Sequence, residues 1–269
     1  MKTYLKLEFK KNILSWRTII SILIILALFI IPYVEEIKFS YPGVDGIDYF
    51  IRIHQFSYIC FIAPIIAGFI YSTSIIRDKE SGFLNKLLEI IDIKTYFKVK
   101  LLVNALINSI VFTLSYGIFI LYFVIIFGIN NEVGENIRNG VFIMRAFIGL
   151  YETSKILYII IILLGTVLSS IAFSTFMIGL TTAIGRKCTT YIFPIFYVIL
   201  TGVFFKMWGL NNIIDFDVIK LFILTRINDT DWIGVMLYNL ILIIFGVVLL
   251  YKFGYKRILD LSGVKRFSI

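Results

Sequence analysis

The sequence contains few of the residues from which enzyme and metal sites are built. Its 269 residues include one histidine, two cysteines and four prolines, and only 16% of them are charged. His54 has no Cys or carboxylate partners at ligand spacing, so we expect an interfacial polar residue and not a metal ligand. Cys60 falls in an apolar stretch and Cys188 in a basic loop, which implies no disulfide framework. The sequence contains no nucleophile elbow and no nucleotide-binding motif. We therefore expect that this chain is not an enzyme and that it binds no cofactor or metal.

The shortage of charge is matched by an excess of apolar residues. Hydrophobic residues make up 59% of the chain, and its mean hydropathy is +0.94. A soluble domain is about half apolar and a quarter charged, whereas a membrane-spanning helix needs about 20 apolar residues. The sequence therefore predicts one all-α integral membrane domain over residues 1–269, with six transmembrane helices at 18–34, 56–76, 101–127, 156–184, 191–205 and 233–250.

The distribution of charge predicts how this domain is oriented. If both termini face the cytoplasm, 18 of the 26 Lys and Arg residues fall in inner segments, whereas the outer segments hold 8 cations against 11 acids. This is the positive-inside pattern of a multi-pass cell-membrane protein. Its partners would be the lipid bilayer and anionic headgroups, and no nucleic acid is needed to explain the net charge of +9. No small-x-small cleavage site follows the first span, so we expect an uncleaved anchor.

Residues 1–17 predict an interfacial helix. Leu5, Phe9, Ile13 and Trp16 recur at helical spacing among lysines. A helix with one apolar and one cationic face lies flat in the headgroup region. The alternative is an ordinary basic flank that only fixes the topology.

A charged connection at residues 77–91 follows the second predicted span. Charged residues from Arg77 to Glu80 mark the exit from the hydrocarbon, where each charge would cost several kcal/mol. Gly82 then allows the backbone to turn. An apolar stripe at helical spacing follows, which predicts a short helix parallel to the membrane; the alternative is a solvated loop. The stripe consists of Phe83, Leu84, Leu87, Leu88 and Ile91.

Polar side chains also lie inside the third and fourth predicted spans. Asn104 and Asn108 share one face of the third span, and Ser170 and Ser174 share one face of the fourth. Such residues join helices by hydrogen bonds, or they line a translocation path; we keep both interpretations. None of the six predicted spans contains Asp, Glu, Lys, Arg or His, which argues against an ion-driven secondary transporter.

The remaining connections are predicted to lie on the outer side. Residues 35–53 have turn signals and predict a short loop, and 141–151 predict a short surface helix. Residues 207–232 are too polar to form a membrane-spanning helix and too apolar to form a solvent-exposed loop. They predict a pair of re-entrant or interfacial helices, whose backbone must be shielded by protein or water.

With these features, the chain resembles the permeases of type-2 ATP-binding-cassette exporters. That family has six spans, cytoplasmic termini, a basic interfacial N-terminal helix and a hairpin between spans five and six. Between spans two and three it carries a signature of the style R-x-x-E-x-G-[TF]-L-x-x-L-L. The common form has Thr where Phe83 stands. The signature is filled here by Arg77, Glu80, Gly82, Phe83, Leu84, Leu87 and Leu88.

The resemblance implies a function. In the family, this segment is a coupling helix that docks on a separate ATPase subunit, which holds ATP and Mg and performs the catalysis. The permease pairs with a second permease, identical or related. Small permeases rich in Ile, Lys and Asn resemble bacterial systems that expel antimicrobial peptides or drugs, so we expect an amphipathic cargo of that kind, with lipid-linked glycan as another option. The alternative class is a channel, lipid-handling carrier or sensor that ATP does not drive.

Overall fold

The structure is a computed structural model that describes residues 2–36, 44–130, 147–208, 217–226 and 231–256. Within these ranges 88% of the residues are helical and no strand occurs. The helices in chain order are α1 (Lys2–Ile13), α2 (Trp16–Glu36), α3 (Gly46–Phe56), α4 (Ile59–Tyr71), α5 (Ser74–Glu80), α6 (Phe83–Leu88), α7 (Ile93–Phe127), α8 (Ile148–Thr153), α9 (Lys155–Ile184), α10 (Thr189–Ile199) and α11 (Asp231–Val248). The π-helical turns Leu200–Phe204 and Leu249–Gly254 extend α10 and α11, and 3-10 turns form at Val218–Leu221 and Leu224–Arg226.

Several helices are long and apolar enough to cross a bilayer. The described residues include five such stretches, and a multi-pass, all-α membrane protein follows from them. A sixth apolar helix, Thr189–Phe204, is shorter. It rises only about 24 Å, against a hydrocarbon thickness of about 30 Å, so length alone does not establish the predicted fifth span. The five longer stretches are Trp16–Glu36, Ile59–Glu80, Ile93–Phe127, Lys155–Ile184 and Trp232–Gly254.

Helix α9 lies at the centre of the bundle, against α4, α7 and α11. Its crossing with α11 is close enough that a Cβ on Gly179 would lie 2.1 Å from the carbonyl oxygen of Gly246. Nearby, Asn239 Nδ2 donates a hydrogen bond to Ser169 Oγ at 3.1 Å. Small and hydroxyl residues therefore bring these two helices into backbone contact, as is common where helices pack in membranes.

The predicted outer loop at 35–53 is wrong in its second half, because helix α3 begins at Gly46. The Asp45 side chain caps this helix by accepting a hydrogen bond from the backbone N–H of Asp48 at 2.9 Å. The Gly46 N–H also donates to the carbonyl oxygen of Gly128 at the end of α7, at 2.9 Å. The Asp-Gly pair that predicts a turn is therefore an N-cap followed by a close backbone contact.

The predicted interfacial position of His54 is also wrong. Its side chain is fully buried, with rings of Phe29, Phe50 and Tyr116 around it. Its Nε2 lies 3.3 Å from the Tyr116 hydroxyl, and its Nδ1 lies 3.4 Å from Thr225 Oγ1. Because α3 packs into the bundle, the residue at its last turn becomes part of the core.

The N-terminal helix forms, but it ends sooner than predicted. Helix α1 ends at Ile13, and Trp16 opens α2 after a bend, so the predicted apolar face does not continue through Trp16. The residues of α1 that are buried against the protein are Glu8 and Asn12, each 4% exposed. These two polar residues attach α1 to the bundle together with Tyr4, Leu5 and Phe9, which are partly buried against the core.

Some predicted features lie wholly or partly outside the described residues. These are the turn at 42–43, most of the surface helix at 141–151, residues 209–216 and 227–230 of the segment 207–232, and the basic tail after Lys256. Within the described residues 217–226, Val218 and Phe222 are fully buried, and the 3-10 turns contact α3, α4, α9 and α10.

Candidate functional site

The bundle has two ends, and several charged segments meet at the one that carries α1. We call this the α1 end and the opposite one, where α3 begins, the α3 end. Arg77 donates to Asn12 Oδ1 of α1 at 3.4 Å, and Glu80 forms an ion pair with Lys187 in the loop after α9. The segments from residues 1–17, 77–91 and 185–188, all predicted to face one side of the membrane, therefore share one end of the molecule.

The charged connection at residues 77–91, which we call the α5–α6 connection, turns at Gly82. Gly82 has φ +70°, and a Cβ there would meet nothing within 4 Å. The Ser81 and Gly82 amides close the turn on the carbonyl oxygens of Arg77 and Lys79, at 3.0 and 3.1 Å. This left-handed conformation suits glycine and costs other residues roughly 1–2 kcal/mol, so the predicted glycine turn is confirmed.

Helix α6 has a buried side and an exposed side. Leu84 is 1% exposed and belongs to the core, whereas Phe83 is 42% and Ile90, just after the helix, 81% exposed. Leu87 and Leu88 are half-buried against the core. The predicted apolar stripe therefore packs mainly on the protein itself, and two large apolar side chains remain at the surface of the connection.

A buried charge cluster lies directly behind this connection. Lys100 of α7 is fully buried, and its Nζ lies 2.5 Å from Glu8 Oε1 of α1 and 2.6 Å from Asp78 Oδ2 of α5. Tyr71 donates to Glu8 at 2.8 Å, and Tyr96 donates to Asp78 at 3.0 Å. These five residues, the Lys100 cluster, join α1, α4, α5 and α7.

The Lys100 cluster is costly to disrupt. A buried charge must be paired and hydrogen-bonded, and removing one partner of such a pair typically costs about 3–5 kcal/mol. Burial opposes ionisation of Glu8, but the Lys100 charge and the hydrogen bonds from Lys100 and Tyr71 outweigh it and lower the pKa of Glu8 below its ordinary value. The cluster therefore holds α1 and α5 firmly on α7 while Glu8 is ionised.

A second cluster, not predicted from the sequence, closes the α3 end. Lys155, 1% exposed at the start of α9, lies 2.7 Å from Asp45 Oδ2 and 3.1 Å from Asp48 Oδ2. Tyr151 of α8 donates to Asp48. In both clusters a buried lysine sits one residue outside a predicted span and pairs with two carboxylates that are distant in sequence.

The four polar residues singled out in the two predicted central spans, Asn104, Asn108, Ser170 and Ser174, are fully buried. Asn104 Nδ2 donates to Ser174 Oγ across the α7–α9 contact at 2.9 Å, and Asn108 donates to the Asn104 carbonyl oxygen at 3.0 Å. Ser170 Oγ donates to the Val167 carbonyl oxygen of its own helix. The structure brings Asn104 and Ser174 together, and this geometry favours helix packing; their place on a translocation path stays a prediction.

Within the described residues no three Cys, His, Asp or Glu side chains group in a way that could hold a metal ion. Comparison of the chain with known protein families, with characterised proteins and with solved structures finds no match.

Proposed function

We propose that this chain is the membrane-spanning subunit of an ATP-driven exporter of the type-2 class, and that a separate ATPase docks on the α5–α6 connection. The observation that carries the proposal is the way in which this connection divides its apolar side chains between the surface and the core. It presents Phe83 and Ile90 to a partner, while Leu84 and the Lys100 cluster fix it to the bundle. An exposed apolar pair on a firmly held base is the arrangement that a docking contact requires.

The contacts behind the connection offer a route for force. Glu80 and Arg77 link it to the loop after α9 and to α1. Asp78 links it to α7 through Lys100. A displacement of α6 by a closing pair of ATPases would therefore act on α1, α7 and α9 together.

The membrane arrangement that we propose has six crossings, with both termini in the cytoplasm. Helix α10 and its extension through Met207 would supply the crossing that is shortest. Residues 217–226 would be the shielded part of an outer re-entrant hairpin; within them, the Val218 N–H donates to Thr201 Oγ1 near the end of that helix at 3.4 Å. Helix α1 would lie at the inner headgroup level.

A second permease, identical or related, would complete the transporter in this proposal. The cargo that we favour is an amphipathic antimicrobial peptide or drug in a bacterial cell membrane, because the chain resembles small permeases of that kind and none of the six predicted spans contains Asp, Glu, Lys, Arg or His. ATP and Mg would be held by the partner ATPase.

The first test is whether a nucleotide-binding ATPase is encoded beside this chain's gene, and the second is co-purification of that ATPase with the chain. Ile90→Asp and Phe83→Asp should each lower the recovered ATPase at least tenfold, because a charge would enter the apolar contact. Leu7→Asp is the matched control: Leu7 is 64% exposed on α1, at the same end but outside the connection, and should leave recovery unchanged.

A second measurement separates docking from folding. Each variant should elute as a monodisperse peak with an unchanged melting temperature, whereas Leu84→Ala should lower that temperature because it leaves a cavity. Unchanged recovery of the ATPase, or unstimulated ATP hydrolysis with the wild-type chain, would contradict the proposal and favour a membrane protein that ATP does not drive.

A further inference from the structure

Two arginines at the α1 end lack the carboxylate partners that both buried lysines have. Arg17, at the start of α2, is only 7% exposed. It donates to Thr73 Oγ1 and, at 3.4 Å, to the Tyr191 hydroxyl. Arg77 donates to Asn12 Oδ1. Among the described residues neither arginine forms an ion pair.

The fold places these two guanidinium groups near one another. The backbone N–H of Arg77 donates to the carbonyl oxygen of Thr73 at 2.9 Å, so the hydroxyl that accepts from Arg17 lies one helical turn before Arg77, on the same face. Asn12, the partner of Arg77, also accepts from Thr18 through its carbonyl oxygen at 2.8 Å. Both guanidinium groups therefore lie where α1, α2 and α5 meet.

Both arginines also have hydrogen-bonding capacity to spare. The Nε atoms of Arg17 and Arg77 are buried and have no hydrogen-bond partner within the described residues. A buried guanidinium stays charged, and leaving it without a counter-charge is costly. Neutral hydroxyls and the rings of Trp16 and Phe69, 5.6 and 5.3 Å from Arg17, balance this charge only in part.

We propose that Arg17 and Arg77 form a binding site for a phosphate group, carried either by an anionic phospholipid or by soluble phosphate. Two guanidinium forks match the several oxygens of a phosphate better than those of a single carboxylate. Trp16 is 58% and Tyr191 43% exposed beside Arg17, so the site is flanked by the aromatic residues that lie at headgroup level in membranes.

The site is tested on the purified full chain by native mass spectrometry, with phosphatidylglycerol, phosphatidylcholine and inorganic phosphate added separately. Arg17→Gln and Arg77→Gln should each weaken phosphatidylglycerol binding about tenfold, as expected for one lost charge-assisted hydrogen bond. Lys6→Gln, a change of an exposed cation on α1, is the matched control and should leave binding unchanged. Arg17→Lys should restore binding in part.

The source of the phosphate is distinguished by competition. If phosphatidylglycerol binds and millimolar phosphate does not displace it, the ligand is a lipid; if phosphate binds without lipid and is lost in the same variants, it is soluble. Binding of phosphatidylglycerol that is undiminished in the Arg17→Gln, Arg77→Gln double variant would overturn the proposal.

Discussion

Lys100 Nζ lies 2.5 Å from Glu8 Oε1, 92 positions away in the sequence, and this contact fastens the N-terminal helix to the longest helix of the bundle. Asp78 completes the arrangement from the other side. The N-terminal helix is therefore an integral part of the α1 end, and its attachment depends in part on charge.

Replacement of Lys100 should destabilise the protein strongly. Lys100→Met leaves Glu8 and Asp78 buried without a counter-charge, and we expect a loss of about 3–5 kcal/mol. Lys98→Met, a change of an exposed residue on the same helix, should cost almost nothing. Thermal unfolding in detergent measures both. Equal melting temperatures for the two variants would show that the Lys100 cluster contributes nothing to stability.

Stability should also depend on pH through Glu8. The pKa of Glu8 is lowered in the folded state. The contribution of Glu8 to the free energy of unfolding is therefore fully present above its unfolded-state pKa of about 4.3. It is lost as the pH falls through the lower pKa of the folded state. Melting temperatures between pH 3 and 7 should therefore drop more steeply for the wild type than for Glu8→Gln. Parallel curves would show that Glu8 is not held in its ionised form.

The crossing of α9 and α11 should tolerate no larger residue. Gly246→Ala places a Cβ 2.5 Å from the carbonyl oxygen of Thr175, and displacing the helices should cost about 1–3 kcal/mol. Gly234→Ala lies on the same helix with nothing within 4 Å of the added Cβ, and it should stabilise slightly. Melting temperatures that shift in the same direction would refute the close crossing.

The two cysteines report the side on which the α1 end lies. Cys188 is exposed in the loop after α9, next to the Lys187 that pairs with Glu80, whereas Cys60 is buried in α4. A membrane-impermeant maleimide should label Cys188 in inside-out vesicles and leave right-side-out vesicles unlabelled. Cys188→Ser, with Cys60 intact, should abolish the labelling. Labelling from the outside would reverse the orientation proposed for the chain.

The features that can be predicted from the sequence are those that depend on residues close together in the chain. Runs of apolar residues predicted the long helices, and Gly82 predicted the turn between α5 and α6, because both depend on residues close together in the chain. Polar residues within the spans predicted hydrogen bonds between helices, as seen between Asn104 and Ser174. Their signal lies in composition and spacing, which the sequence displays directly.

The charge clusters were missed because their members are far apart in the chain. Nothing near Glu8 in the sequence distinguishes it from an ordinary acid among lysines, and its role depends on Lys100. Lys155 likewise depends on Asp45, across 110 positions. The one available signal was a lysine next to a long apolar run, because such a lysine is either at the surface or paired inside.

The length of α7 has a mechanical consequence. Its 35 residues span about 52 Å, well over the thickness of the hydrocarbon, and it is fixed near one end by Lys100 and contacts α3 at the other. A rigid rod of that length amplifies rotation: a tilt of about 5° at one membrane face moves the far tip by roughly 4.5 Å. A small push on one side of the bilayer would thus become, on the other, a step as wide as an amino-acid side chain.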